Sequence, residues 1–322
     1  MASVDLEFLG RIVARLIERV SLFKGLTQAE LLQHLARARM EEVAAGDVVM
    51  REGESSAAVF VILRGSVEVA RDANDKMSAP IGVLGAGECF GEMALVDRLP
   101  RSASVTAREK TLLCVLPAQS LAESTNVAWL LYANLAATLA QRCDALESRL
   151  AGHLQAHCRD ECLPLIVASA APPVESLDAR TLDELEKLGR VQVVAAGQQI
   201  VKSGTTGENL YVILEGEAEV SRCTGSERQR LALLGRGHCF GEVGMLRADL
   251  GRIADVFAIV DSRVLRIEAK ELRKARPGVM PVYQYLARML SVRLRGFNQI
   301  YEQLANADCI SDCPFRTEPV AA

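Results

Sequence analysis

Short apolar runs broken by glycine fill two long stretches of the chain, and each stretch passes into a segment of helical periodicity. Val59-Phe60-Val61-Ile62-Leu63 and Leu210-Tyr211-Val212-Ile213-Leu214 read as strands, closed by turns at Arg64-Gly65 and Glu215-Gly216. Polar and apolar residues then alternate from Ser66 to Ala70 and from Glu217 to Ser221, the period of a half-buried strand. A different spacing marks the N-terminal segment. Phe8, Leu9, Ile12, Val13, Leu16 and Val20 recur three or four residues apart with Arg11, Arg15, Glu18 and Arg19 between them, which predicts an amphipathic helix.

The two stretches are copies. Gly46, Gly53, Phe60 and Gly65 have counterparts at Gly197, Gly204, Tyr211 and Gly216, all displaced by 151 residues. Glu88-Cys89-Phe90-Gly91-Glu92 answers His238-Cys239-Phe240-Gly241-Glu242, and Tyr132, Leu135, Ala136, Leu139 and Arg142 answer Tyr283, Leu286, Ala287, Leu290 and Arg293. The last set lies on one helical face. Short strands punctuated by glycine predict an antiparallel barrel or sandwich in each copy. The expected class is therefore mainly β with α: two tandem double-stranded β-helix (jelly-roll) barrels, each flanked by helices and followed by a long one. The corresponding order is an N-terminal helix over 1–20, a first barrel over 21–126, a long helix over 127–162, a linker over 163–177 rich in proline and alanine, a second barrel over 178–276, a second long helix over 277–308 and a tail over 309–322.

Candidate chemistry concentrates in the segment from Phe90 to Val105. Gly91 permits close backbone approach, and Glu92-Met93-Ala94-Leu95 suits a helical turn whose N–H groups are available to an anion. Arg101 adds a guanidinium that grips two phosphate oxygens at once, which an ammonium does not. Glu92 is unsuited to a phosphate and suits a sugar hydroxyl. The bland reading of Glu92 and Arg101 is a surface ion pair of little worth. Phe90, Phe240, Tyr132 and Tyr283 read as packing residues.

This segment resembles the phosphate-binding cassette of the cyclic-nucleotide-binding domain family, which includes the catabolite activator protein, kinase regulatory subunits and domains of gated ion channels. The resemblance implies that Glu92 binds the ribose 2′-hydroxyl and Arg101 the cyclic phosphate, that the backbone at Gly91 and Ala94 adds N–H contacts, and that Ser102 meets the phosphate or the purine. In the second copy Gly241, Glu242, Gly244, Arg252 and Ile253 take these places, with one more residue between Glu and Arg. Gly244 replaces Ala94, Gly251 replaces Pro100 and Ile253 replaces Ser102, so a looser loop and a lost hydroxyl predict weaker binding there.

Charge and composition narrow the function. A net charge of -4 gives no basic footprint for nucleic acid, and nothing after the second long helix is long enough for a helix-turn-helix, so direct DNA binding is not expected. No long uncharged apolar stretch predicts a membrane span, and no secretion signal or transit peptide is evident. With nine cysteines, the expectation is a cytoplasmic chain with free thiols. A cupin-like metal-dependent enzyme would need clustered ligands that four scattered histidines do not supply, so no catalytic residue is assigned. A scaffold with degenerate nucleotide sites is the other alternative. The reading favoured is a sensor of cAMP or cGMP, with cAMP preferred, acting on an unidentified protein effector. The segment before the first barrel has no Arg-Arg inhibitory sequence of the kinase-regulatory kind. The paired helical stripes suggest an intramolecular pseudo-dimer or a homodimer through the long helices. Cys158 and Cys162 lie 151 residues before Cys309 and Cys313, two in-register Cys-x3-Cys pairs that would hold a zinc ion or act as a redox clasp if the helix ends converge, against a plainer reading as inert thiols.

Overall fold

The computed structural model describes residues 6–71, 79–118, 125–157, 176–224 and 227–306. The chain divides into two units, 1–138 and 139–322, each built around one β-sandwich.

In the first unit α1 (Leu6–Arg19) leads through a 3-10 turn to α2 (Gln28–Leu35). Thr27 opens α2 with a capping box: its Oγ1 accepts from the Glu30 N–H while the Glu30 carboxylate accepts from the Thr27 N–H. Eight strands follow: β1 (Arg39–Val43), β2 (Val48–Met50), β3 (Val59–Arg64), β4 (Ser66–Arg71), β5 (Ala79–Gly85), β6 (Cys89–Phe90), β7 (Ser104–Ala107) and β8 (Thr111–Leu116), with α3 (Glu92–Asp97) between β6 and β7. They form two antiparallel four-stranded sheets, ordered β1-β8-β3-β6 and β2-β7-β4-β5. Phe60, Ile62, Val67, Phe90, Val105 and Leu113 fill the space between the sheets. The apolar run from Val59 to Ile62 does not alternate because both faces of β3 are covered: Phe60 and Ile62 enter the core while Val59 and Val61 are also fully buried.

Helix α4 (Thr125–His157) begins in the first unit and passes into the second, the division falling between Thr138 and Leu139. Within the first unit, the Asn134 amide donates to the carbonyls of Leu22 and Lys24.

The second unit repeats the plan with α5 (Ala179–Glu186), β9 (Arg190–Val194), β10 (Gln199–Val201), β11 (Asn209–Glu215), β12 (Ala218–Thr224), β13 (Glu227–Leu234), β14 (Cys239–Phe240), α6 (Glu242–Leu246), β15 (Asp255–Ala258) and β16 (Ser262–Glu268). Its sheets run β14-β11-β16-β9 and β10-β15-β12-β13, the order of the first sandwich. A short α7 (Ala269–Ala275) then leads to the long α8 (Met280–Asn306). Here α8 meets the latter part of α4: the Cys143 thiol lies 3.5 Å from the Leu290 carbonyl, and Arg149 donates to the Tyr301 hydroxyl at 2.6 Å. Since 143 meets 290 and 149 meets 301, the two helices run in the same direction in this unit. Burial pushes the Cys143 thiol up to about 12, so it remains protonated in this seam. None of the described helices is long and apolar enough to cross a membrane.

Candidate ligand-binding sites

Strand pairing fixes where each cassette begins. Phe60 on β3 faces Phe90 on β6, and their rings stack with centroids 4.9 Å apart. That pairing delivers Gly91 to the end of β3, where it takes φ +80° and starts α3 at Glu92. A Cβ on Gly91 would lie 2.5 Å from Arg101 Nη1 and 2.9 Å from the Ala58 carbonyl, so both the left-handed backbone and the space demand glycine. The close approach expected here is thus made by an arginine of the cassette itself.

Arg101 is held from both sides. Its backbone N–H donates to the Glu54 carbonyl, and its own carbonyl accepts from the Gly53 N–H, clipping it to the loop between β2 and β3. Its Nη1 donates to the Gly91 carbonyl at 2.6 Å, and Nη2 donates to the Ala58 carbonyl at 2.9 Å and to Ser56 Oγ at 3.0 Å. The guanidinium carbon stands 5.6 Å from the Phe60 ring. Glu92 and Arg101 are 1% and 3% exposed, which excludes the reading of a surface ion pair. Burial draws Arg101 below the usual guanidinium range, and the charges of Glu92 and then Glu54 oppose it. Arg101 Nε–H is buried and has no hydrogen-bond partner among the described residues. Three bonds thus fix the two Nη atoms, while the buried Nε–H is left for an acceptor that the described residues do not provide.

Ser102 donates to Met93 Sδ at 3.4 Å, and Ala94 is buried on α3. Beside α3 a groove of roughly 580 Å³ is lined by Ser55, Ser56, Leu95, Leu99 and Tyr132. Tyr132 is 8% exposed, so packing accounts for most of its surface.

The second cassette reproduces the first around Gly241, at φ +78°. Arg252 Nη1 donates to the Gly241 carbonyl at 2.7 Å and Nη2 to the Asn209 carbonyl at 3.0 Å, while Tyr211 stacks on Phe240 at 5.1 Å. Its backbone is clipped likewise, by Thr205 and Gly204. Three differences are local. The hydroxyl of Ser56 has no equivalent, because Gly207 stands at its place. Ile253 offers no hydroxyl where Ser102 does. A Cβ on Gly244 would lie 2.8 Å from the Gly207 carbonyl, so the neighbouring loop presses closer on the cassette than a residue like Ala94 permits.

Glu242 is buried, and that burial raises its carboxyl above the usual range against the charges of Arg293 and, less strongly, Arg252. A cavity of roughly 340 Å³ opens over Glu242, Arg252 and Ile253, floored by Val220 and Leu234 and closed by Tyr285, Met289 and Arg293 of α8. This size lies at the lower end of small-ligand sites. Arg293 belongs to the repeated helical stripe, whereas Tyr285 and Met289 lie off it and were not legible in the sequence as wall residues. Arg222, not singled out by the sequence pattern, lines the same cavity. The displacement of 151 that pairs Arg222 with Arg71 was the available signal. Cys158, Cys162, Cys309 and Cys313 lie outside the described residues, and among the described residues no group of three His, Cys, Asp or Glu could hold a metal ion.

Two β-sandwiches, each seating a buried arginine and carboxylate at a glycine-led helical turn, define a tandem small-ligand-binding protein. The chain belongs to the cyclic nucleotide-binding domain family, whose model matches residues 40–125 and again 191–276, together more than half of the sequence. It is 27% identical over 238 residues to a cAMP-dependent protein kinase regulatory subunit of Blastocladiella emersonii, covering 74% of this chain and 52% of that one. It is 29% identical over 224 residues to cGMP-dependent protein kinase isozyme 1 of Drosophila melanogaster, covering 68% and 25%. The chain thus spans about half the length of the first relative and a quarter of the second. Among solved structures it is similar to the regulatory domain of Toxoplasma gondii PKA crystallised with cAMP, at 20% identity and a TM-score of 0.35, covering 88% of this chain and 97% of that one.

Proposed function

We propose that the chain is a sensor of 3′,5′-cyclic purine nucleotides, with cAMP preferred, and that occupancy changes the packing of its long helices to regulate a protein partner. In this reading Arg101 and Arg252 take the cyclic phosphate and Glu92 and Glu242 the ribose 2′-hydroxyl, with backbone contacts at Gly91 and Ala94 or Gly241 and Gly244. The buried, unpartnered Nε–H of Arg101 beside Glu92 is the observation that carries it, because a phosphate oxygen supplies the missing acceptor. The relatives named as kinase regulatory subunits support a protein kinase as the class of partner. No catalytic step is assigned to any residue.

The second site is the weaker one in this proposal, having lost the hydroxyls of Ser56 and Ser102. Calorimetric titration with cAMP and cGMP tests both points. Two binding events with the tighter one abolished by R101A are expected. Absence of heat with either nucleotide, or loss of the tighter event in R252A instead, would overturn the assignment.

A further inference from the structure

The two copies treat one arginine differently. Arg71 ends β4 and Arg222 holds the same place on β12, their preceding residues pairing alike with Ser104 and Asp255. Arg71 donates through Nε and Nη2 to Glu52 Oε1 at 3.1 and 2.7 Å, a carboxylate from its own barrel. At the place of Glu52 the second barrel has Ser203, which carries no charge. Arg222 turns instead to Glu147 on the latter part of α4, donating from Nη1 to Oε1 at 2.5 Å, and its Nε donates to the Ile253 carbonyl at 3.4 Å. The other oxygen of Glu147 lies 3.5 Å from Nη2 of Arg293. One carboxylate thus holds two arginines, and both line the cavity over Arg252.

The side chains of Glu147, Arg222 and Arg293 are 15%, 22% and 16% exposed, so solvent screens their charges only in part. Arg293 Nε–H is buried without a partner among the described residues. Without Glu147 the cavity wall would carry three guanidinium groups against the single carboxylate of Glu242. With it, two carboxylates stand against three cations, and the attraction for an entering anion falls accordingly.

Resting on the reading of this cavity as a nucleotide site, we propose that Glu147 belongs to the second site as its built-in counter-charge. It holds Arg222 and Arg293, lowers the affinity for an anionic ligand, and is loosened when one binds. The coupling is reciprocal by thermodynamic necessity: a ligand that draws the arginines weakens the docking of the α4 segment from Leu139 onward, and that docking weakens the ligand. A merely structural ion pair would act the other way, its loss disordering the wall and weakening binding.

The test uses the full chain carrying R101A, so that the second site is titrated alone with cAMP and with cGMP. Adding E147Q is expected to tighten binding by about fivefold or more. In the R101A protein with Glu147 intact, saturating nucleotide is expected to speed amide hydrogen exchange across residues 139–150, and R101A/R252A should show no such change. That second measurement needs no substitution at Glu147. Equal or weaker binding in E147Q, or unchanged exchange on saturation, overturns the proposal while leaving the site itself standing. Absence of binding in both R101A and R101A/E147Q overturns the site and the proposal together.

Discussion

At the scale of single residues, each site is an arginine folded back on its own cassette. Because Arg101 spends Nη1 and Nη2 on the Gly91 and Ala58 carbonyls and Ser56, the guanidinium is fixed before any ligand arrives. Replacing Arg101 by Ala should therefore cost on the order of 2–5 kcal/mol of nucleotide affinity by calorimetry, and Glu92→Gln should cost less. Gly91→Ala should be damaging without any change of charge. The left-handed backbone alone makes a Cβ cost about 1–2 kcal/mol, and contact with Arg101 adds to it, so thermal melting should fall and titration should show weakened binding. Glu242 supplies a pH signature. Its folded-state carboxyl is raised above the unfolded value by burial, so its contribution to stability is fully present below the ordinary carboxylate range and is lost as pH rises through the raised value. Melting of the ligand-free protein should lose stability over that window, and E242Q should remove the slope. A slope identical in E242Q would assign the pH dependence elsewhere.

At the scale of elements, strand pairing and helix packing place these residues. The hydrophobic pattern of β3 and β11, their turns and their glycine spacing were legible because a strand buried on both faces must be apolar throughout. The stripe of Leu139 and Leu290 was legible as well, and both side chains are completely buried in the second unit. Leu290→Ala should cost about 2–5 kcal/mol of that unit's stability in chemical denaturation, with little effect on the first site's affinity. A loss below 1 kcal/mol would mean that the α8 seam is not a core. What the pattern did not reveal was which side chains of α8 face the cavity. Tyr285, Met289 and Arg293 follow a helical stripe that reads equally well as packing, and only the tertiary placement of α8 in the second unit brings it to the cavity that Arg252 also lines.

At the scale of the whole molecule, duplication has produced two sites of one design with unequal surroundings. Both keep the stacked aromatic pair, the positive-φ glycine and the buried Glu and Arg. They diverge at Ser56 against Gly207, Ser102 against Ile253 and Glu52 against Ser203. The first two are the basis for expecting unequal affinity, and the third leaves Arg222 available to α4. The order of the two affinities is measured by titrating R101A and R252A side by side.

The sequence alone determined the duplication and the tandem antiparallel β class and singled out the candidate cassette residues, because these rest on local spacing: a glycine where φ is positive, an apolar run where both faces are covered, an arginine a short way past Gly-Glu. Tertiary structure decided the rest. That Arg101 binds three groups from two loops and keeps a buried Nε–H with no acceptor among the described residues depends on residues some 45 positions away in the chain. That Glu147 meets Arg222 and Arg293 depends on residues 75 and 146 positions apart. No periodicity records such meetings, since charge attraction acts through space and is set by where folding brings each chain segment, not by its order in sequence.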